Sequence, residues 1–290
     1  MNELARQIAA DLGCALHGVS ELAPGRTGRA LRLDTGDGAL FVKVLPAGHA
    51  DRFAAEVDGL DTLRAAGCFR IPEVRARGNT DAHTWLALEW LDLHPVGSTD
   101  EGRRFGEALA ALHTVEGPHY GLARDNWLGD SRQENGTSES WPLFYAQKRL
   151  TPQLDRVIAS GLRGPLVSDT RAIIDRVAAL FLDYRPKPSL LHGDLWHGNA
   201  GMDRNGRPAV FDPAVHYGDR EADYAMTELF GGFPTSMYAA YQGAAPLHHN
   251  APARRGLYRL YHMLNHYNLF GASYLREAER TAARLIAELR

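Results

Sequence analysis

Asparagine followed by glycine is the strongest short signal for a chain reversal between two strands. Asn205-Gly206 stands between two such runs in HGNAGMDRNGRPAVFDP, residues 197–213. A two-residue turn at this dipeptide sets Met202 opposite Ala209, Gly201 opposite Val210, Ala200 opposite Phe211 and Asn199 opposite Asp212. Directly opposed residues have Cβ atoms about 5 Å apart. The reversal therefore predicts an amide oxygen and a carboxylate side by side at the open end of a hairpin, a pair of hard oxygen donors suited to Mg²⁺. Asp194 precedes Asn199 on the same loop and adds a second carboxylate, placed where a general base would stand.

An Asp-x-x-x-x-Asn loop, a hairpin and a further Asp form the arrangement with which protein kinases transfer phosphoryl groups. The first Asp orients the acceptor hydroxyl, and the Asn and second Asp hold Mg²⁺ on the nucleotide. Two other readings compete. His192, Asp194 and His197 are ligand types, but their histidines are spaced i, i+5, and Gly193 and Gly198 oppose the helix on which an i, i+4 pair would bind zinc. The blandest reading makes HGD a turn and FDP a strand end.

An independent test lies in the first third of the chain, where a kinase-like site needs a strand lysine and a helix glutamate. Only three of the 32 basic residues are lysines, Lys43, Lys148 and Lys187, so a lysine inside the apolar strand ALFVKVL (39–45) asks for a reason. In the helix expected over 50–66, Phe53, Val57, Leu60 and Leu63 define one face, and Glu56 lies on it. A buried carboxylate needs a partner. Pairing Glu56 with Lys43 satisfies both and leaves the ammonium for the α- and β-phosphates; a snorkelling lysine beside a helix-edge glutamate is the alternative. Gly25 and Gly28, in LAPGRTGRA, allow a short nest of backbone N–H groups over the phosphates, although neither GxGxxG nor a Walker A sequence occurs. Backbone groups of Glu89, Trp90 and Leu91 would meet the adenine edge.

The remaining pattern predicts a helix over 3–16, strands at 30–34, 39–45 and 84–90, and a polar loop at 129–140. Helices are expected at 100–114, 141–160, 168–183, 222–230 and most of 253–289. Ser98 and Glu101 have capping-box spacing. The class is α+β: a sheet-rich lobe over 1–92 and a mainly helical lobe over 93–290. A net charge of −3 lacks the basic excess of a nucleic-acid binder, and no apolar run reaches membrane-spanning length. Cys14 and Cys68 are isolated thiols, and the cytoplasm is the expected compartment.

HGDLWHGN (192–199), followed by FDPAVHYGDREADYAMTELFGGF (211–233), is similar to the fructosamine/ketosamine-3-kinase family, relatives of aminoglycoside and choline kinases within the protein-kinase-like fold. DNWLGDSRQEN (125–135), KRLTPQL (148–154) and YHMLNHYNLFGASY (261–274) extend the resemblance over nearly the whole chain. It implies a bilobal fold and ATP- and Mg²⁺-dependent phosphorylation of the 3-hydroxyl of ketosamines, on small amines or on protein lysines, as deglycating repair. By position it implies Asp194 as base, Asn199 and Asp212 as Mg²⁺ ligands, and Lys43 with Glu56 as the nucleotide ion pair. His192 is expected to hold the loop, and the resemblance implies that Asp223 braces it by accepting backbone N–H bonds, a solvated aspartate at a helix start being the alternative. Trp196 offers the sugar a flat face or packs beneath the loop. His197 stands where relatives carry serine and bears on acceptor choice. Arg26-Thr27 departs from the small residues common in the phosphate loop. Asp219, in Asp219-Arg220-Glu221, receives a cationic amine or belongs to an internally paired turn. Asn265 faces the acceptor, and His262 with His266 form either a zinc pair or a core edge. Another alcohol acceptor, such as an aminoglycoside or choline-like molecule, is the nearest alternative activity. A catalytically silent scaffold is the alternative of another class.

Overall fold

A computed structural model describes residues 2–22 and 28–289. The first lobe opens with helix α1 (Asn2–Asp11) and strands β1 (Leu16–Glu21), β2 (Arg29–Thr35) and β3 (Gly38–Pro46). Helix α2 (Ala50–Ala66) and strands β4 (Val74–Asn79) and β5 (His83–Glu89) complete it. The strands form an antiparallel sheet in the order β1-β2-β3-β5-β4, which makes β3 its central strand. Alternation along β3 divides the lobe. Val42 and Val44 join Ile8, Leu31, Leu33 and Trp85 under α1, whereas Leu45 joins Phe53, Leu60, Leu63 and Leu86 under α2. Lys43 shares the α2 side.

The connection to the second lobe is short. Strand β6 (Leu93–His94) follows β5 after three residues, and Ser98 then caps α3 (Thr99–Leu112). The capping box is complete: Oγ of Ser98 accepts from the Glu101 N–H, and Oε2 of Glu101 accepts from the Ser98 N–H at 2.9 Å. Strands β7 (Tyr120–Leu122), β8 (Asn126–Leu128), β9 (Ser131–Gln133) and β10 (Gly136–Ser138) follow. The stretch 129–140, expected as a loop, thus contains two short strands. Ser131 and Gln133 are buried while Arg132 is exposed, so the segment packs by one edge despite its polarity.

Helix α4 (Trp141–Tyr145) runs through a π turn at Ala146–Leu150 into α5 (Thr151–Ala159), and α6 (Pro165–Ile174) starts at its proline. Next come β11 (Ser189–Leu191), β12 (Ala200–Asp203), β13 (Pro208–Val210), β14 (His216–Gly218) and α7 (Glu221–Leu229). Helices α8 (Thr235–Ala244), α9 (Ala251–Phe270) and α10 (Leu275–Glu288) end the chain. Helix α8 was not expected, and Gly271–Tyr274 divides the long C-terminal helical pattern. Helix α1 ends early because Gly13 turns left-handed, with φ 67°. Two small sheets matter for the site: β10-β7-β14-β11, and β13-β12-β6, in which the interlobe strand pairs with the central hairpin. One apolar cluster runs across the lobes, from Leu60 and Phe69 to Phe105, Leu195 and Val210. Among the described residues, no helix is long and apolar enough to cross a membrane.

Candidate active site

Lys43 pairs with Ala30 on one side and Leu86 on the other, so its backbone is fixed by two ladders. Its ammonium donates to Oε1 of Glu56 at 2.6 Å and to Oδ1 of Asp212 at 2.5 Å. Burial alone would favour the neutral amine, but the Asp212 and Glu56 carboxylates outweigh it and hold the lysine above its ordinary pKa. Burial pushes Glu56 up, against the pull of Lys43.

The catalytic-loop candidate begins where β11 ends. Gly193 has φ 84°, and a Cβ there would sit 2.1 Å from the carbonyl oxygen of Ala214, so only glycine fits this bend. Asp223, on the first turn of α7, accepts from the N–H groups of His192 (2.7 Å) and Gly193 (2.9 Å). Burial would raise its pKa, but the His113 contact, the nearby His192 and the Gly193 N–H together hold it below the ordinary value. The His192 ring is buried, with Nδ1 facing the Asp194 N–H at 3.3 Å and Nε2 facing the Phe211 carbonyl at 3.0 Å. This pattern sets Nδ1 as acceptor and Nε2 as donor, and burial, which lowers its pKa, favours that neutral ring. The loop and the segment after the hairpin are thereby locked together.

Asn199 donates through Nδ2 to the Asp194 backbone oxygen (2.9 Å) and to its Oδ2 (3.1 Å). That orientation leaves the amide oxygen available as a donor atom. The Asp194 carboxyl is pushed up to about 7, first by burial and then by the neighbouring charge of Asp212.

The hairpin register differs by one residue from the two-residue-turn expectation. Ala200 pairs with Val210, Gly201 with Ala209 and Met202 with Pro208. The loop has three residues. The Gly206 N–H donates to the Asp203 carbonyl at 2.9 Å, the Asp203 N–H donates to the Arg207 carbonyl at 3.0 Å, and Gly206 alone turns left-handed, with φ 71°. The cause is the Asp203 side chain, whose Oδ1 accepts from the N–H groups of Asn205 (2.9 Å) and Arg207 (2.8 Å). This is a type I turn with a glycine bulge. Across from Asn199 stands Phe211, whose N–H donates to the Asn199 carbonyl at 3.1 Å. Asp212 falls one position beyond and adopts φ 55°, the single positive φ of a non-glycine residue among those described. Its carboxylate reaches the site by this kink rather than by cross-strand pairing.

Asp194, Asn199, Asp212, Lys43, Glu56 and Trp196 all line one cleft of about 250 Å³. Arg52, Asn126 and Trp127 line it too. Sequence reasoning passed over Arg52, although it lies one helical turn before Glu56; its guanidinium meets Asp130, in the β8–β9 turn, at 2.7 Å and ties α2 to the second lobe. A second, mainly apolar cavity of about 260 Å³ adjoins, lined by Phe41, Leu88, Glu89, Trp90, Leu91, Leu93 and Phe211 among others. Among the linker backbone groups expected to meet the adenine edge, the N–H groups of Glu89 and Trp90 are already donated to the carbonyls of Glu73 and Ala39. Only the Leu91 N–H lacks such a partner among the described residues. Gly28 lies against β3, where a Cβ would come 2.8 Å from the Val44 carbonyl oxygen. Gly25 lies outside the described residues.

Two acceptor candidates sit away from the cleft. Asp219 is fully buried, accepting from Tyr258 (2.5 Å) and Tyr184 (2.9 Å), so the internally paired reading describes it and no amine can reach it. Asn265 is buried and accepts from Gln153. His262 is buried as well, and His266 donates from Nδ1 to the His262 carbonyl in an aromatic setting with Phe230 and Tyr274. Trp196 meets Phe230 edge-on at 5.8 Å, and the exposed His197 hydrogen-bonds the Gly231 carbonyl at 3.1 Å.

Known proteins share this architecture. A Vibrio vulnificus protein named probable ketoamine kinase is 36% identical over 267 residues, which cover 92% of this chain and 91% of its own. A Synechocystis protein, also named probable ketoamine kinase, is 39% identical over 246 residues, covering 84% and 82%. The crystal structure of a Thermobifida fusca protein provisionally named fructosamine-3-kinase superposes with a TM-score of 0.87 at 34% identity, covering 99% of each chain. A more distant aminoglycoside phosphotransferase, 15% identical with a TM-score of 0.69 and covering 99% and 98%, was solved with AMP-PNP and hygromycin B and shares the fold. The family model for fructosamine kinase matches residues 1–288, and the chain belongs to that family.

Proposed function

We propose that the protein transfers the γ-phosphoryl group of ATP to the 3-hydroxyl of a ketosamine, on a small amine or a protein lysine, and so initiates removal of the sugar adduct. The carrying observation is the convergence of Lys43, Glu56, Asp194, Asn199 and Asp212 on one cleft, with the lysine bonded to both a helix and a loop carboxylate. Residues 1–92 cover the nucleotide in this reading, and residues 93–290 hold the acceptor.

The ammonium of Lys43 has three protons. Two are engaged by Glu56 and Asp212, and the third is directed to the phosphate oxygens. The amide oxygen of Asn199 and the carboxylate of Asp212 are hard donors and fit Mg²⁺. When bound, that ion neutralises charge on the transferring phosphoryl group. Asp194 accepts the acceptor hydroxyl's proton, and a carboxyl pushed up to about 7 suits general-base work near neutrality. The Asn199 amide keeps this base in place. Trp196 forms one wall for the sugar, and His197 at the rim influences which adducts enter.

The test is ADP release with ribulosamine, fructosamine and aminoglycoside acceptors. Turnover of a ketosamine, reduced about 10²–10⁴-fold in Asp194→Asn, is the expected result. Turnover of the aminoglycoside alone would replace the acceptor, and an unimpaired Asp194→Asn would remove the base.

A further inference from the structure

Away from the cleft, three side chains converge as the ligands of a metal centre do. Asp183, His248 and His249 bring a carboxylate oxygen and two imidazole nitrogens within 4.8 Å of one another. Oδ2 of Asp183 lies 3.6 Å from Nε2 of His249. That is longer than a hydrogen bond. It is close to the roughly 3.3 Å that separates two ligands of a tetrahedral zinc ion with bonds of about 2.0–2.1 Å.

The ligands come from two segments already held in place by a buried network. Asp183 is followed by Tyr184, which donates to Asp219 and carries the Arg254 guanidinium 3.9 Å over its ring. His248 and His249 lead into α9, the helix that bears Arg254, and the Ala251 N–H donates to the His248 carbonyl at 2.9 Å. The His248 ring lies 5.0 Å from that of Tyr184, and Nδ2 of Asn250 donates to Oδ2 of Asp183 at 2.5 Å. Partners outside the ligand set thus orient the carboxylate and one imidazole, the support metal ligands generally have. With Nδ1 of His248 as the ligand atom, the contact displaced is a long one, 3.3 Å, from the Asn250 N–H.

We propose that Asp183, His248 and His249 bind a divalent transition ion of the zinc class, with water completing its shell. Two imidazoles and a carboxylate favour zinc, cobalt, nickel or copper over magnesium. The ion therefore differs in class from the one suited to Asn199 and Asp212. It acts as a structural staple, joining the segment that leads into β11 and the catalytic loop to the start of α9.

The experiment titrates Zn²⁺ by calorimetry into the untagged full chain, stripped of metal by chelation, with excess Mg²⁺ present. One site of micromolar affinity is expected, and Co²⁺ should give visible bands of a tetrahedral centre. His248→Ala with His249→Ala should abolish the site, and Asp183→Asn, which removes its one anionic ligand, should weaken it. Asp212→Asn, which alters the cleft, should leave it unchanged. Zinc at a hundredfold excess over its Kd should raise the melting temperature of the parent protein by about 5 °C and leave that of the double variant unchanged. Matching metal-free melting temperatures would show that the variants fold. Absence of binding at 100 µM Zn²⁺, or undiminished binding in the folded double variant, overturns the proposal.

Discussion

Two groups of three carboxylates lie close to one another and are treated in opposite ways. Glu56, Asp194 and Asp212 surround the cleft, Lys43 pairs with Glu56 and Asp212, and burial with mutual repulsion raises Glu56 and Asp194. Asp219, Glu221 and Asp223 lie beneath them, nearly inaccessible to water. Glu221 takes two hydrogen bonds from Arg254 (2.8 and 2.9 Å), Asp223 takes two backbone N–H bonds, and Asp219 takes two tyrosine hydroxyls. Desolvation raises both Asp223 and Asp194, yet the first is held below its ordinary pKa and the second well above. The difference is the number and charge of the donors aimed at each. Asp219, pushed up to about 6 by burial and then by Glu221, shows that satisfied hydrogen bonds do not cancel a like charge nearby. The deep group supports the loop, while the upper group keeps the charge that Mg²⁺ neutralises in the proposed reading.

The largest effect that separates the groups is expected from Asp212→Asn. Ketosamine-dependent ADP release should fall about 10³-fold, with the urea midpoint of the apoprotein unchanged or raised. A loss of activity that merely tracks unfolding would erase the distinction. Arg254→Met acts on the deep group and strands Glu221 as an unpaired buried charge. Urea unfolding should show a loss of about 3–5 kcal/mol, and an unchanged midpoint would mean that the pair does not carry the base of the site.

The smallest effect sharpens the contrast through pH. A folded pKa of about 7 for Asp194 exceeds the unfolded value of about 3.9. Ionising Asp194 therefore opposes folding: the cost is absent below about pH 4, grows between about 4 and 7, and is complete above that window. Asparagine carries no such cost. The full difference corresponds to about 4 kcal/mol, which solvent screening at this partly exposed carboxyl cuts to about half. The Asp194→Asn apoprotein should therefore be about 2 kcal/mol more stable than the parent at pH 8 and equal to it at pH 4, by urea unfolding at both. A gain of equal size at both pH values would assign the raised carboxyl to another residue.

The Lys43–Glu56 pair was legible because a lone lysine in an apolar strand and a glutamate on an apolar helix face each demand a partner. The hairpin was legible as a reversal, but its register was not. Asp203 four residues before Arg207, with Gly206 between them, is the signal of a side-chain-capped three-residue loop, and the Asn-Gly pair drew attention away from it. Asp219 stayed open between two readings because charge in Asp219-Arg220-Glu221 reads as surface, while its partners Tyr184 and Tyr258 are distant in sequence. The strands at 131–133 and 136–138 are too short for their polar residues to show an alternation.

The three-residue loop at Arg204–Gly206 has an evolutionary consequence. Surface loops ordinarily absorb insertions and deletions. Here the Asp203 cap acts as a gauge: without it, the two-residue turn at Asn205-Gly206 would slip the register by one, draw Asp212 into the ladder opposite Asn199 and remove the kink that carries it to Lys43. Such a slip would also reverse the faces of Ala209 and Val210, both fully buried. Along a lineage Asp203 and Gly206 should therefore persist, while Arg204 and Asn205 drift.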